Sequence, residues 1–110
     1  MCRPTSLGAQ EKDQKRLLNA ARNGFPDVVK FCVKDGVDVE CKDEFGYTPL
    51  HKAAQCGQTE CAEILLDAGA KIDTTRGARA PAHKNWTPLM LAALHGHVGA
   101  VSLLLVRGAD

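Results

Sequence analysis

Residues Thr48–Gly57 have the sequence TPLHKAAQCG, and almost the same sequence, TPLMLAALHG, returns 39 residues later at Thr87–Gly96. The same shift superimposes identical residues at Thr48, Pro49, Leu50, Ala53, Ala54, Gly57, Leu65, Leu66, Gly69 and Ala70. A shift of 33 residues in the opposite direction places several of these positions on Leu17, Ala20, Ala21, Gly24 and Gly36. The chain therefore contains three related units with a period of 33 residues, and six extra residues separate the second unit from the third.

Each unit carries the signals of two short helices joined by a tight turn. Thr48 and Thr87 each precede a proline, so each threonine is predicted to cap a helix whose first residue is that proline. Alanine pairs follow, and their small side chains let neighbouring backbones approach closely. Gly24, Gly57 and Gly96 are predicted to end the first helix of each unit with a positive φ.

The second helices are predicted at PDVVKFCVKD, TECAEILLDA and VGAVSLLLVR, closed by Gly36, Gly69 and Gly108. Helices of about eight to ten residues are marginal on their own, because nucleation costs more than so few hydrogen bonds return. A neighbouring helix pair must cover the apolar side of each pair. The predicted fold is therefore an all-α solenoid of stacked helix-turn-helix units.

The second unit, DEFGYTPLHKAAQCGQTECAEILLDAGAKID, resembles an ankyrin repeat almost throughout. The third is similar, with Asn85 at a position where the family usually has Gly and Met90 where it usually has His. The first lacks the Thr-Pro-Leu-His opening and resembles an N-terminal capping repeat. The resemblance implies antiparallel helix pairs with β-hairpin-like finger loops. It also implies a protein partner that contacts the finger tips and the concave groove beside the first helices.

This resemblance sets the expected domain organisation. Residues 1–10 are expected to form a flexible N-terminal arm and residues 11–110 the ankyrin-repeat domain. Within the domain we expect a capping repeat 1 at about 14–43, repeat 2 at about 44–76, a basic insertion at about 76–84 and repeat 3 at about 85–110.

The last helix, VGAVSLLLVR, has only Ser102 and Arg107 as polar side chains, whereas a terminal repeat normally needs a polar outer face. We therefore expect repeat 3 to be truncated, to be followed by further repeats, or to pack on another chain. Self-association through this apolar repeat is one of these expectations.

Composition excludes several classes of protein. A net charge of +1 provides no overall attraction for nucleic acid, and no apolar run of about 18 residues predicts a membrane span. The N-terminus lacks the apolar core of a signal peptide. Five cysteines in no disulfide or zinc spacing favour reduced thiols, so we expect an intracellular protein in the cytoplasm, the nucleus or both.

The histidines do not form a catalytic or metal-binding pattern. By resemblance to the family, His51 is structural: it bonds loop backbone and braces adjacent fingers. His95 and His97 flank Gly96, and no nearby carboxylate or cysteine completes a metal site. We therefore predict no catalytic residue, no metal and no cofactor, and we do not expect an enzyme.

The cysteines are predicted from their register in the repeats. Cys32 aligns with Leu65 and Leu104, and Cys61 also aligns with apolar residues, so both are expected in the core. Cys56 aligns with Asn23 and His95, and we expect it to be an exposed thiol at the groove.

Tyr47 and Trp86 occupy the same finger position in successive repeats, just before the capping threonine. We interpret them as an interface pair, and packing beneath the longer finger is the alternative. Transfer of the family's groove positions, together with the basic insertion, predicts a set of partner-binding residues: Arg22, Asn23, Glu44, Phe45, Tyr47, Gln55, Cys56, Arg76, Arg79, Lys84, Trp86, Leu94 and His95.

The insertion TTRGARAPAHKNW carries four basic or titratable side chains and no acid. It is either a neutral extension, since loop closure entropy grows slowly with length, or a basic finger that contacts an acidic partner.

The predicted function is a non-enzymatic protein-binding scaffold. The alternatives are a targeting or regulatory module of a larger enzyme or channel, and nucleic-acid contact through the basic finger. The last is disfavoured because residues 27–73 carry ten acids and five bases.

Overall fold

The computed structural model describes residues 7–75 and 85–108, with side chains from residue 12 onward. These residues form six helices: α1 Leu7–Asn23, α2 Pro26–Lys34, α3 Pro49–Gln55, α4 Thr59–Asp67, α5 Pro88–Leu94 and α6 Val98–Val106. Over the same two ranges there is no β-strand, and the loops are built from turns. The predicted all-α fold is confirmed.

The helices pack in two layers. Each first helix contacts its own second helix, and α1, α3 and α5 contact one another in sequence, as do α2, α4 and α6. The stack measures 41 × 29 × 21 Å. Within the described residues each repeat thus packs mainly on its neighbours, which is the predicted solenoid arrangement.

The helix starts follow the predicted capping pattern. The Thr48 hydroxyl accepts a hydrogen bond from the His51 N–H at 3.3 Å, and Thr87 accepts one from the Met90 N–H at 3.3 Å. Pro49 and Pro88 are the first residues of α3 and α5, where a missing N–H leaves no intrahelical bond unmade. Both caps are therefore confirmed.

The first helix is longer than the sequence pattern suggested. It begins at Leu7, so it includes the last four residues of the segment 1–10 that was expected to be an arm. Residues 11–16, EKDQKR, are mostly good helix formers, so the helix continues through them into the first repeat without interruption.

The core lies between the two layers and between successive repeats. Leu17, Leu50, Leu65 and Leu104 are completely buried, and each such leucine contributes roughly 1.5–3 kcal/mol by leaving water. The alanine pairs of the first two repeats are buried between neighbouring first helices. Ala93, in the last repeat, is exposed.

Candidate partner-binding surface

The first finger, residues 37–48, is held by Asp43. Its carboxylate oxygen Oδ1 accepts hydrogen bonds from the N–H groups of Phe45 and Tyr47, both at 2.9 Å. The Asp43 N–H donates to the Tyr47 carbonyl at 2.9 Å, and the Gly46 N–H donates to the Asp43 carbonyl at 3.0 Å. This turn fixes the backbone that presents Phe45, whose side chain is 56% exposed at the tip.

Lys52 on α3 ties the finger to the helix layer. Its Nζ lies 2.8 Å from Asp43 Oδ2 and 5.1 Å from the centre of the Tyr47 ring. Burial by itself would raise the pKa of the Asp43 carboxyl. The hydrogen bond and charge of Lys52, with the N–H groups of Tyr47 and Phe45, outweigh burial and lower the pKa. Asp43 is therefore a carboxylate at neutral pH.

His51 joins the first finger to the second finger, of which the structure describes residues 70–75 and 85–87. The Thr48 N–H donates to Nδ1 at 3.1 Å, so the ring proton must be on Nε2, which donates to the Trp86 carbonyl at 2.7 Å. The ring is completely buried. His51 therefore has the predicted structural role: its ring hydrogen-bonds loop backbone and links the two fingers. The fingers also meet where the Lys71 N–H donates to Glu40 Oε2 at 2.7 Å.

A second type of bridge, the inter-repeat clamp, recurs beside the turn glycines. Gln58 Nε2 donates to the Arg22 carbonyl at 3.2 Å, and His97 Nε2 donates to the Gln55 carbonyl at 2.9 Å. Each clamp residue follows the turn glycine of its own repeat and reaches the carbonyl two residues before the glycine of the preceding repeat. The clamps hold the ends of the first helices in register.

Glycine is required beneath both clamps. Gly24 and Gly57 have φ of 80° and 70°, as predicted, and a Cβ there would clash with the Gln58 side-chain amide and lie 2.6 Å from His97 Nδ1, respectively. Gly96 has φ of 72° but has open space where a Cβ would point. The first two turns are therefore constrained by both conformation and contact.

A groove of about 540 Å³ lies between α1, the first finger and α3. From α1 it is lined by Gln14, Lys15, Leu18, Asn19 and Arg22, and from the finger and α3 by Lys42, Asp43, Glu44, Phe45 and Lys52. Its walls are fixed by the Asp43 turn and the Lys52 contacts. A partner docking there meets a surface that is already ordered.

The predicted binding residues lie on three parts of the surface: the groove, a separate depression beside α1, and the ends of α3 and α5. Arg22, Glu44 and Phe45 line the groove, whereas Asn23 lines a separate depression with Phe25 at the outer side of α1. At the ends of α3 and α5, Cys56, Leu94 and His95 are exposed and Gln55 is half-buried.

Tyr47 and Trp86 are both half-buried, so neither is fully displayed and neither is enclosed. The Tyr47 ring meets the His51 ring edge-on, with centroids 5.5 Å apart. Arg76, Arg79, His83 and Lys84 lie outside the described residues, so the basic insertion stays a prediction from the sequence.

Several groove residues were not found by sequence reasoning, notably Lys15, Leu18, Lys42 and Lys52. A usable signal was present in α1, where Lys15, Leu18, Asn19 and Arg22 recur at helical spacing on one face. No sequence pattern marks Lys52 as a groove residue, because its position in the groove depends on its salt bridge to Asp43 in the first finger.

The thiols are buried or exposed as their positions in the repeats predicted. Cys32 and Cys61 are buried and Cys56 is exposed. Burial raises the pKa of Cys32 and Cys61, and it raises the pKa of the buried Cys41 to about 12. At neutral pH these three are protonated thiols and poor nucleophiles.

Within residues 7–75 and 85–108, no group of three or more His, Cys, Asp or Glu side chains gathers as a metal site would require. His97 is bonded to the Gln55 carbonyl, and its ring lies 6.2 Å from that of His95. In the same part of the chain, every helix is too short or too polar to cross a membrane.

Comparison with known proteins agrees with the repeat architecture of the structure. Residues 17–110 match the family described as ankyrin repeats (3 copies). The chain is 43% identical over 104 residues to 26S proteasome non-ATPase regulatory subunit 10 of Dictyostelium discoideum, a match covering 94% of this chain and 41% of that protein.

Two other similar proteins are much longer than this chain. The human BCL-6 corepressor-like protein 1 is 38% identical over 95 residues, which is 86% of this chain and 5% of that protein. Protein phosphatase 1 regulatory subunit 12A of Mus musculus is 42% identical over 55 residues, which is 50% of this chain and 5% of that protein. The chain thus spans less than half the length of each of these relatives.

Proposed function

The chain belongs to the ankyrin-repeat family, and from this we propose that it is a non-enzymatic module that binds a partner protein through the groove and the first finger. Members of this family generally mediate protein–protein interaction. The observation that carries the proposal is the ordered groove, whose walls are fixed by Asp43, Lys52 and the clamp on Arg22. A fixed surface loses little conformational entropy when a partner docks.

The non-enzymatic part of the proposal rests on the relatives and on the thiols. Two of the relatives are regulatory subunits by name. Cys32, Cys41 and Cys61 are buried with raised pKa values, so they are unsuited to nucleophilic catalysis. We also propose an intracellular location, supported by the free thiols of the four cysteines within the described residues and by relatives named as proteasomal and corepressor proteins.

The test is affinity capture with the wild-type chain and two variants. Phe45→Ala/Arg22→Ala alters exposed groove side chains, and Phe31→Ala/Lys30→Ala removes one aromatic and one cationic side chain from α2, where Phe31 is 59% exposed. Proteins identified by mass spectrometry should be lost with the groove variant and kept with the α2 variant. Equal recovery by both variants would show that the partner binds elsewhere.

The basic insertion and a regulatory role remain further parts of this proposal. Arg76, Arg79 and Lys84 are basic residues of the insertion and would suit an acidic region of the same partner. Since the named regulatory subunits are longer than this chain, we also keep the proposal that such a module targets or regulates a larger enzyme or channel.

We further propose that the outer face of repeat 3 pairs with a second copy of this chain. The apolar side chains Met90, Leu94, Val98, Leu105 and Val106 are all exposed on α5 and α6. The opposite end of the stack carries Lys12, Lys15 and Arg16. The apolar face of repeat 3 buries more favourably against the same face of a second copy than against this cationic end. A symmetric dimer through repeat 3 is therefore favoured over head-to-tail stacking.

A further inference from the structure

We propose that the groove selects an acidic peptide segment that carries a large apolar side chain. This proposal rests on the proposed function, because it names the chemistry of the partner at the same surface. It concerns only the groove between α1, the first finger and α3.

The charge of the groove favours an anionic partner. Four cationic side chains line it, Lys15, Arg22, Lys42 and Lys52, against the two carboxylates of Asp43 and Glu44. Asp43 and Lys52 form an ion pair at 2.8 Å, so their charges cancel. This leaves Lys15, Arg22 and Lys42 against Glu44, and Lys42 Nζ also donates to the Thr75 carbonyl at 3.3 Å. The local excess of positive charge contrasts with the acidic composition of residues 27–73. Such a patch raises the rate and the selectivity of binding to acidic partners.

The groove also offers an apolar contact. Phe45 stands at its rim with 56% of its surface exposed, and Leu18 lies in its wall. The Asp43 turn holds the backbone on either side of Phe45, so burying this ring requires little ordering of the loop. Exposed aromatic side chains in such positions are frequent anchors of protein interfaces.

The polar side chains favour a peptide over a nucleic acid. Gln14 and Asn19 can each donate to and accept from a peptide backbone, as a polypeptide requires. Asp43 and Glu44 place negative charge among the cations, which would repel the continuous phosphates of a nucleic acid strand. An acidic peptide can place a backbone N–H or a neutral side chain opposite these carboxylates.

The test uses the full chain and fluorescein-labelled short peptides in equilibrium titrations followed by anisotropy. One probe is rich in Asp and Glu with a central Phe, a second has Ser in place of that Phe, and a third has Lys in place of the acids. Oligothymidylate is the nucleic-acid probe. We expect the first probe to bind at least about tenfold more tightly than the other three.

Matched variants separate the groove from overall charge. Lys15→Gln/Arg22→Gln should weaken binding of the acidic, Phe-containing probe by about tenfold or more. Lys30→Gln/Lys34→Gln removes the same charge from α2 and should change binding less than about twofold. Phe45→Ala should remove the preference for the Phe-containing probe over the Ser-containing probe. Thermal unfolding of each variant checks that the stack remains folded.

The possible failures can be told apart. If the Lys-rich probe binds as well as the acidic one, or if both charge variants weaken binding equally, acidic selectivity is overturned while the protein-binding function stands. Tighter binding of oligothymidylate would overturn the choice of a peptide. If no probe binds and affinity capture is also insensitive to the groove variant, both this inference and the proposed surface are wrong.

Discussion

His51 is the residue on which the joint between the two fingers depends. His51→Ala would leave the Thr48 N–H and the Trp86 carbonyl without their partner and would open a cavity in a fully buried site. We expect a loss of about 3 kcal/mol in the free energy of unfolding, measured by urea denaturation.

The matched control for this change is Met90→Ala. Met90 occupies the same register position in repeat 3 but is 53% exposed, so its truncation should cost less than about 0.5 kcal/mol. Similar losses for the two variants would contradict the bridging role of His51.

The thiols should react in the order set by their burial. In a Cys2→Ser background we expect a disulfide reagent to modify Cys56 rapidly, because its side chain is exposed. Cys32, Cys41 and Cys61 should react at least about a hundredfold more slowly, since they are protonated and accessible only after local opening. Mass spectrometry of trapped samples identifies the modified residue. Rapid modification of any buried thiol in the native protein would show that the core opens readily.

Alanine substitutions in the turns at Gly57 and Gly96 measure how much the clamp between His97 and the Gln55 carbonyl contributes to stability. Alanine at either position must adopt a positive φ, which costs about 1 kcal/mol. At Gly57 the added Cβ also displaces the His97 ring from the Gln55 carbonyl, so we expect Gly57→Ala to cost about 2 kcal/mol or more. Chemical denaturation gives both values.

Repeating the two substitutions in a His97→Ala background isolates the clamp. With the ring removed, Gly57→Ala and Gly96→Ala should have nearly equal costs of about 1 kcal/mol. A difference that persists without the ring would assign the constraint on Gly57 to something other than the clamp.

The first finger should lose stability in acid through Asp43. Because the pKa of this carboxyl is lowered from its ordinary value of 3.8, its contribution is present above that value and is lost as the pH falls below it. Asp43→Asn keeps an oxygen acceptor but removes the charge, so we expect it to cost about 0.5–1 kcal/mol at pH near 6 and less at pH near 3, because the stabilisation is lost progressively as the pH falls below 3.8. Urea denaturation at the two pH values tests this. A cost independent of pH would mean that the charge of Asp43 contributes nothing.

The sequence was sufficient to predict the helices and turns because each is specified by local signals. Thr48 before Pro49 marks the position where a helix starts, and Gly57 marks where it ends, although packing in the stack is what makes so short a helix stable. The groove was predicted only in part. Arg22 and Phe45 followed from register, whereas Lys52 belongs to the groove through a salt bridge to a loop that no repeat pattern encodes. The partial burial of Tyr47 likewise depends on the His51 and Lys52 side chains packed around it.

The stack as a whole is asymmetric, because its two ends differ in chemistry. The buried alanine pairs of repeats 1 and 2 are covered by the next first helix, whereas the equivalent Ala93 is exposed. On the same outer face, the clamp acceptor position is occupied by Leu94, and Gly96 has open space above it. Repeat 3 thus presents the kind of surface that repeats 1 and 2 bury, which supports the proposed pairing of two copies.

This proposal predicts that the wild-type chain forms dimers at high concentration and that one charge on the face prevents them. Val106 is 83% exposed on α6, so Val106→Lys should leave the fold intact while placing a cation in the contact. Phe31→Lys makes an equivalent change at a 59% exposed apolar residue of α2 and should leave dimers unchanged. Sedimentation velocity over a wide concentration range distinguishes the species. Since two like faces place two lysines in one closed contact, the Val106 variant should be monomeric throughout. A wild-type chain that is itself monomeric at every concentration would instead show that this apolar face does not bind a second copy.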